Sequence, residues 1–81
     1  MMEKQELIEK IVSALAEEFE VEESSITPEA SVKDTLELDS LSLVDLVALL
    51  DTNFGVKVKG AELAEVKTFS LLYDLVYEKL S

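Results

Sequence analysis

An 81-residue chain with 48% apolar residues, 18 acids against 7 lysines and a net charge of −11 is sized for a single domain, residues 1–81. That charge repels nucleic acid and anionic membranes and favours basic partners, and the absence of cysteine and histidine excludes zinc sites, disulfide frameworks and Ser-His-Asp hydrolysis. The apolar residues fall in short clusters rather than one run of about 18 or more, and the opening MMEKQELIEK lacks the pattern of a signal peptide, so a cytoplasmic monomer without membrane insertion is expected.

From Glu3 to Phe19, residues Leu7, Ile8, Ile11, Val12, Leu15 and Phe19 recur at spacings of three and four, with Glu and Lys between them. This predicts an amphipathic helix of about four turns. Glu3 and Glu6 open it in accord with the helix dipole, and EEFEVEESS ends it in charge and turn formers. Residues 20–39 then read as a long connection. Thr27 before Pro28 and Glu29 suggests a cap and a single helical turn, and Val21, Ile26, Ala30, Val32 and Leu36 are spaced along the loop as apolar pegs. A loop this long in so small a domain is expected to be pinned or functional.

A second long helix is predicted from Ser40 to Asn53, with Gly55 suited to the left-handed position after its end. Its core stripe is Leu43, Leu46, Val47, Leu50 and Phe54. A second stripe, Leu41, Val44 and Ala48 beside Asp45 and Asp51, marks either deep burial or a docking surface. After Gly55, VKVK alternates but has no partner strand and reads as an extended linker. GAELAEV supplies a short helix with Leu63 and Val66 inward. Thr68 caps a last helix, Phe69 to Leu80, whose stripe is Phe69, Leu72, Leu75, Val76 and Leu80. The expected fold class is all-α: a small four-helix bundle of three main helices and one short one, with a long first loop. The acid excess lies wholly in its first part, since residues 1–54 hold 14 acids and 3 lysines and residues 55–81 hold four of each.

The chemistry is narrowed by what is missing. Ser40 has no histidine to act as a base and no lysine close by in sequence, so any chemistry on its hydroxyl has to be done by another enzyme. No glycine-rich phosphate loop and no calcium-loop pattern is present, and 81 residues leave little room for a catalytic cleft. A non-enzymatic binding or carrying module remains. At a helix start, unpaired N–H groups and the positive dipole end tolerate an attached phosphodiester. Locally, Asp39 or Ser40 can be the N-cap, while the capping-box spacing is met by Ser42 and Asp45.

The stretch LELDSLSLVDLVALLDTNFGV resembles the signature of the acyl carrier proteins, in which Asp-Ser-Leu opens the second main helix. The likeness extends over nearly the whole chain: a first helix, a loop with ITPEAS, the Asp-Ser-Leu, the NFGV closing the helix, and the short and final helices in order. It implies that Ser40 receives 4'-phosphopantetheine, whose thiol carries acyl groups as thioesters. Asp39 would assist the phosphopantetheinyl transferase and Leu41 would meet it. Leu41, Val44, Asp45, Ala48 and Asp51 would dock basic patches on acyl-transfer and synthase enzymes of fatty acid or polyketide-type biosynthesis, and Leu46, Val47, Leu50, Leu63 and Val66 would line an acyl pocket. Some positions depart from the family's habit: Ser42 and Thr52 stand where acids are common, Ala48 where methionine is, and Glu37 where glycine precedes the motif. Two alternatives stay open: an aminoacyl or peptidyl carrier, and a non-carrier acidic helical protein in which Ser40 is only a cap.

Overall fold

A computed structural model describes residues 3–80. Five α-helices follow one another: α1 Lys4–Phe19, α2 Val32–Leu36, α3 Ser40–Phe54, α4 Gly60–Glu65 and α5 Phe69–Leu80. The three long helices stand where apolar spacing places them, and no strand forms among the described residues. On α1, Leu7, Ile11 and Leu15 are fully buried, one per turn, with Ile8, Val12 and Phe19 half-buried at the margin. On α3 the buried residues are Leu46, Leu49 and Leu50, so the core-facing side is turned toward Leu49 while Leu43 and Val47 stay half-buried. On α5, Tyr73 joins Phe69, Leu72 and Val76 inside, Leu75 is half-buried and Leu80 is exposed.

The connection from 20 to 39 is more structured than a pegged loop. Its expected turn exists, with the Ala30 N–H donating to Thr27 O at 3.1 Å, but it does not continue as a helix. The helical segment begins instead at Val32. There the Ser31 hydroxyl accepts from Asp34 N–H at 3.2 Å, and Val32 and Leu36, four residues apart, both face the core. A helix of five residues cannot meet its own nucleation cost. It is held from outside, because Val32 N–H donates to Lys67 O (3.1 Å), Phe69 N–H to Ala30 O (3.3 Å) and Ser70 N–H to Pro28 O (3.0 Å), with Ser31 and Thr68 paired antiparallel. The long loop is therefore pinned to the start of α5.

VKVK forms no strand, yet its alternation is real: Val56 and Val58 are buried while Lys57 and Lys59 are exposed. Gly55 closes α3 in the left-handed region (φ 66), where its N–H donates to Asp51 O at 2.9 Å in an αL-type end, and Val56 N–H reaches Leu50 O at 3.2 Å. On α4, Glu62 accepts from Lys59 N–H at 3.3 Å and pairs with Lys79 of α5 at 3.2 Å, which ties the short helix to the last one.

Two helix ends use glutamate where glycine is normal. Glu20 after α1 and Glu37 after α2 both adopt the left-handed conformation, at φ 54 and 53. A side chain there costs about 1–2 kcal/mol relative to glycine. Glu37→Gly is accordingly expected to raise stability by about 1 kcal/mol, read as a higher urea midpoint, whereas Gly55→Ala, whose added Cβ meets nothing within 4 Å, is expected to lower it through the backbone alone.

Candidate functional site

The chain passes from α2 to α3 through three residues: left-handed Glu37, half-buried Leu38 and extended Asp39 (φ −120, ψ −170). Asp39 is the N-cap of α3. Its Oδ1 accepts from Leu41 N–H at 3.0 Å and from Ser42 N–H at 2.8 Å, and its carbonyl accepts from Leu43 N–H at 2.9 Å. The Ser42 N–H and then the Ser42 hydroxyl hold the Asp39 carboxyl below its ordinary 3.8 against an opposing desolvation, with a smaller contribution from the Leu41 N–H. The Ser42–Asp45 capping pattern is thus unused, since Ser42 lies inside the first turn as a donor. Ser40 is the first helical residue, and its exposed hydroxyl makes no hydrogen bond among the described residues.

The depressed Asp39 value has a consequence for stability. A carboxyl whose folded-state value lies below its unfolded one adds stability that is complete above the unfolded value and lost as pH falls through the folded value. Asp39→Asn keeps a capping acceptor but not the charge. It is expected to flatten the acid limb of urea-unfolding stability between about pH 5 and pH 2, whereas Asp39→Ala lowers stability at neutral pH as well.

Beside Ser40 opens a cavity of about 250 Å³ lined by Lys33, Leu38, Asp39, Ser40, Leu43, Leu63, Ala64 and Val66. The fold brings Leu63 and Val66 of the expected pocket to this wall. Leu46 and Leu50 are buried in the core and Val47 is half-buried, and none of the three lines the cavity. Leu43, expected as core, packs half-buried against the core and also takes part in the wall. Lys33, Leu38 and Ala64 were not foreseen there. Lys33 is brought in by α2, whose one sequence signal is the Ser31-x-x-Asp34 spacing of a capping box. A larger hollow of about 460 Å³ lies between α1 and α3, lined by Ser13, Glu17, Asn53 and Phe54 among others, and none of the expected site residues reaches it.

The five residues of the second stripe share one accessible surface. Leu41 is 78% exposed and Val44 64%, the two most exposed large apolar residues among those described, and Asp45, Ala48 and Asp51 are exposed with them. Deep burial is therefore excluded as the explanation for that stripe. A leucine and a valine side chain held in water beside two carboxylates make a surface suited to a partner that is apolar at its centre and basic at its edge. No described helix is long and apolar enough to cross a membrane.

Residues 9–76 match the family model described as the phosphopantetheine attachment site. The chain is similar to the acyl carrier protein of Petrotoga mobilis, 39% identical over 80 residues that cover 99% of this chain and 94% of that one. It is equally similar to the acyl carrier protein of Thermotoga maritima, 39% identical over 80 residues and 99% of both chains. The acyl carrier protein of Rubrobacter xylanophilus is 38% identical over 77 residues, 95% of each.

Proposed function

The chain belongs to the acyl carrier proteins, the family of the phosphopantetheine attachment site, and from that premise we propose that Ser40 is its attachment residue and that it acts as a cytoplasmic, monomeric carrier rather than a catalyst. When bound, 4'-phosphopantetheine supplies a terminal thiol for acyl thioesters, a group that this cysteine-free chain lacks. The observation that carries the assignment of Ser40 is the division of labour at the head of α3. Asp39 satisfies two of the helix-start amides through Oδ1, and the neighbouring hydroxyl is left exposed, without a hydrogen bond among the described residues and on the rim of a cavity.

The chain's own residues then have distinct roles. Asp39 sets the direction in which Ser40 faces and presents an ionised carboxylate to the phosphopantetheinyl transferase. Leu43, Leu63, Ala64 and Val66 offer an apolar wall that keeps water from a chain lying against it. Leu41, Val44, Asp45, Ala48 and Asp51 form the surface that acyl-transfer and synthase enzymes with basic patches grip. The relatives named above are acyl carrier proteins, which favours acyl cargo of fatty acid or polyketide-type synthesis over an aminoacyl or peptidyl cargo.

Mass spectrometry after incubation with coenzyme A and a phosphopantetheinyl transferase tests the assignment. One phosphopantetheine is expected on the peptide containing Ser40, and an unmodified protein overturns it. Docking is tested separately. Reversing Asp45 and Asp51 to lysine is expected to slow association with a synthase partner by about ten-fold or more at low salt, with the difference shrinking as salt is raised. Rates that do not change in stopped flow would assign these acids to solubility alone.

A further inference from the structure

We propose that Lys33 is the positioning cation of this site, pairing its ammonium with the phosphodiester on Ser40 and holding it at the mouth of the cavity. The inference rests on the reading of Ser40 as the attachment residue.

An anion attached to the first residue of a helix ordinarily finds the helix-start amides as partners. Here two of those amides are taken, because Asp39 Oδ1 already accepts from both Leu41 N–H and Ser42 N–H, which leaves only the N–H of Ser40 itself at the head of the helix. The same carboxylate is ionised at neutral pH and adjacent to Ser40, and Asp34 and Glu37 lie within six residues of it in sequence. A phosphodiester adds one more negative charge to this acid-rich half of the chain. One amide offsets little of this charge, so a cation from elsewhere in the fold would stabilise the group at the cavity mouth.

Three lysines occupy residues 1–54. Lys4 is paired with Asp74 and Lys10 with Glu6. Lys33 forms no ion pair among the described residues, and it lines the cavity together with Ser40. Its backbone is fixed: the Lys33 carbonyl accepts the N–H groups of both Glu37 and Leu38, and its neighbour Val32 is buried. Only the four-carbon stem is free to move, which suits a point charge that follows a phosphate over a short range. An ion pair in water is weak and screened by salt. Lys33 therefore holds the phosphodiester reversibly and does not obstruct release of the arm to a partner.

The test loads wild type, Lys33→Gln and Lys33→Arg with coenzyme A and a transferase, confirms loading by mass, and follows the phosphodiester by phosphorus NMR. In wild type and Lys33→Arg the resonance is expected to move as sodium chloride rises from about 20 to about 500 mM. In Lys33→Gln it should already sit at the high-salt position and stay there. The ammonium nitrogen of Lys33 in wild type should shift on loading while those of Lys4 and Lys10 do not, a measurement that needs no variant. Identical phosphorus shifts and salt responses in wild type and Lys33→Gln, or an unmoved Lys33 nitrogen, overturn the proposal. Failure of wild type to load at Ser40 overturns the carrier reading instead, before Lys33 is involved.

Discussion

Ser40→Ala is expected to take up no phosphopantetheine from coenzyme A and a transferase, and so to be inactive in every acyl-transfer assay, while unfolding at the same urea concentration as wild type. The two halves of this expectation have separate physical causes. Loading is expected to fail because the proposed acceptor is gone and its neighbour is no substitute: Ser42 lies half-buried in the first turn with its N–H committed to Asp39. Ser42→Ala should accordingly load normally. Stability is retained because the Ser40 hydroxyl bonds to nothing among the described residues, and alanine is at least as good a helix former at that position. A change within about 0.5 kcal/mol is expected.

Had Ser40 been the cap, its loss would cost about 0.5–2 kcal/mol. The pair of measurements therefore separates a carrier from a small acidic interaction protein. A variant that loses stability by that amount and still binds its partners would favour the interaction protein. A variant that still accepts the group would move the attachment site elsewhere.

Phe69→Ala is expected to be the most damaging single substitution for the fold. Phe69 is the largest of the fully buried side chains, its ring centroid lies 6.4 Å from that of Tyr73, and its N–H bonds to Ala30 O across the chain. Removing a ring of this size from a packed interior costs about 3–5 kcal/mol. For 81 residues at about 0.05–0.15 kcal/mol each, the whole stability is roughly 4–12 kcal/mol. The variant should therefore show a urea midpoint lowered by about a quarter or more of its value, or no folded baseline at all. Phe69→Leu, which keeps much of the volume, should lose less. The damage also reaches the site. Residues 28–32 are held by the start of α5, and α2, which supplies Lys33 to the cavity wall, hangs from them. Backbone amides of 28–36 should exchange with solvent faster in Phe69→Ala than those of α1, and equal rates would show that the loop is held by other means.

The long helices and the place of Ser40 were legible from residue spacing. Apolar residues at three-four intervals mark α1, α3 and α5, and Asp-Ser-Leu stands at the head of a stripe that ends in Gly55. These are local properties, and a helix of 12 to 16 residues with a continuous apolar face leaves few other ways to bury it. The outer stripe of α3 was legible as a stripe but ambiguous in meaning. Only packing distinguished an exposed Leu41 and Val44 from buried ones, because nothing in the fold covers that face.

What the tertiary structure decided has one common cause: it depends on groups far away in sequence. Periodicity points to a face of a helix with an error of about one residue per turn, so the choice of Leu49 and Tyr73 over Val47 and Leu75 as buried residues fell to their neighbours. Val56 and Val58 are buried without a partner strand because the helices, rather than a sheet, receive them. α2 is too short to be stable from local propensity, and the bonds that hold it come from residues 67–70, more than 30 positions along the chain. With α2 comes Lys33, and with α4 come Leu63, Ala64 and Val66. The sequence alone therefore determined that Ser40 stands at the head of the second long helix. The cavity beside it, and the place of Lys33 on its wall, exist only after the loop has been tied to α5.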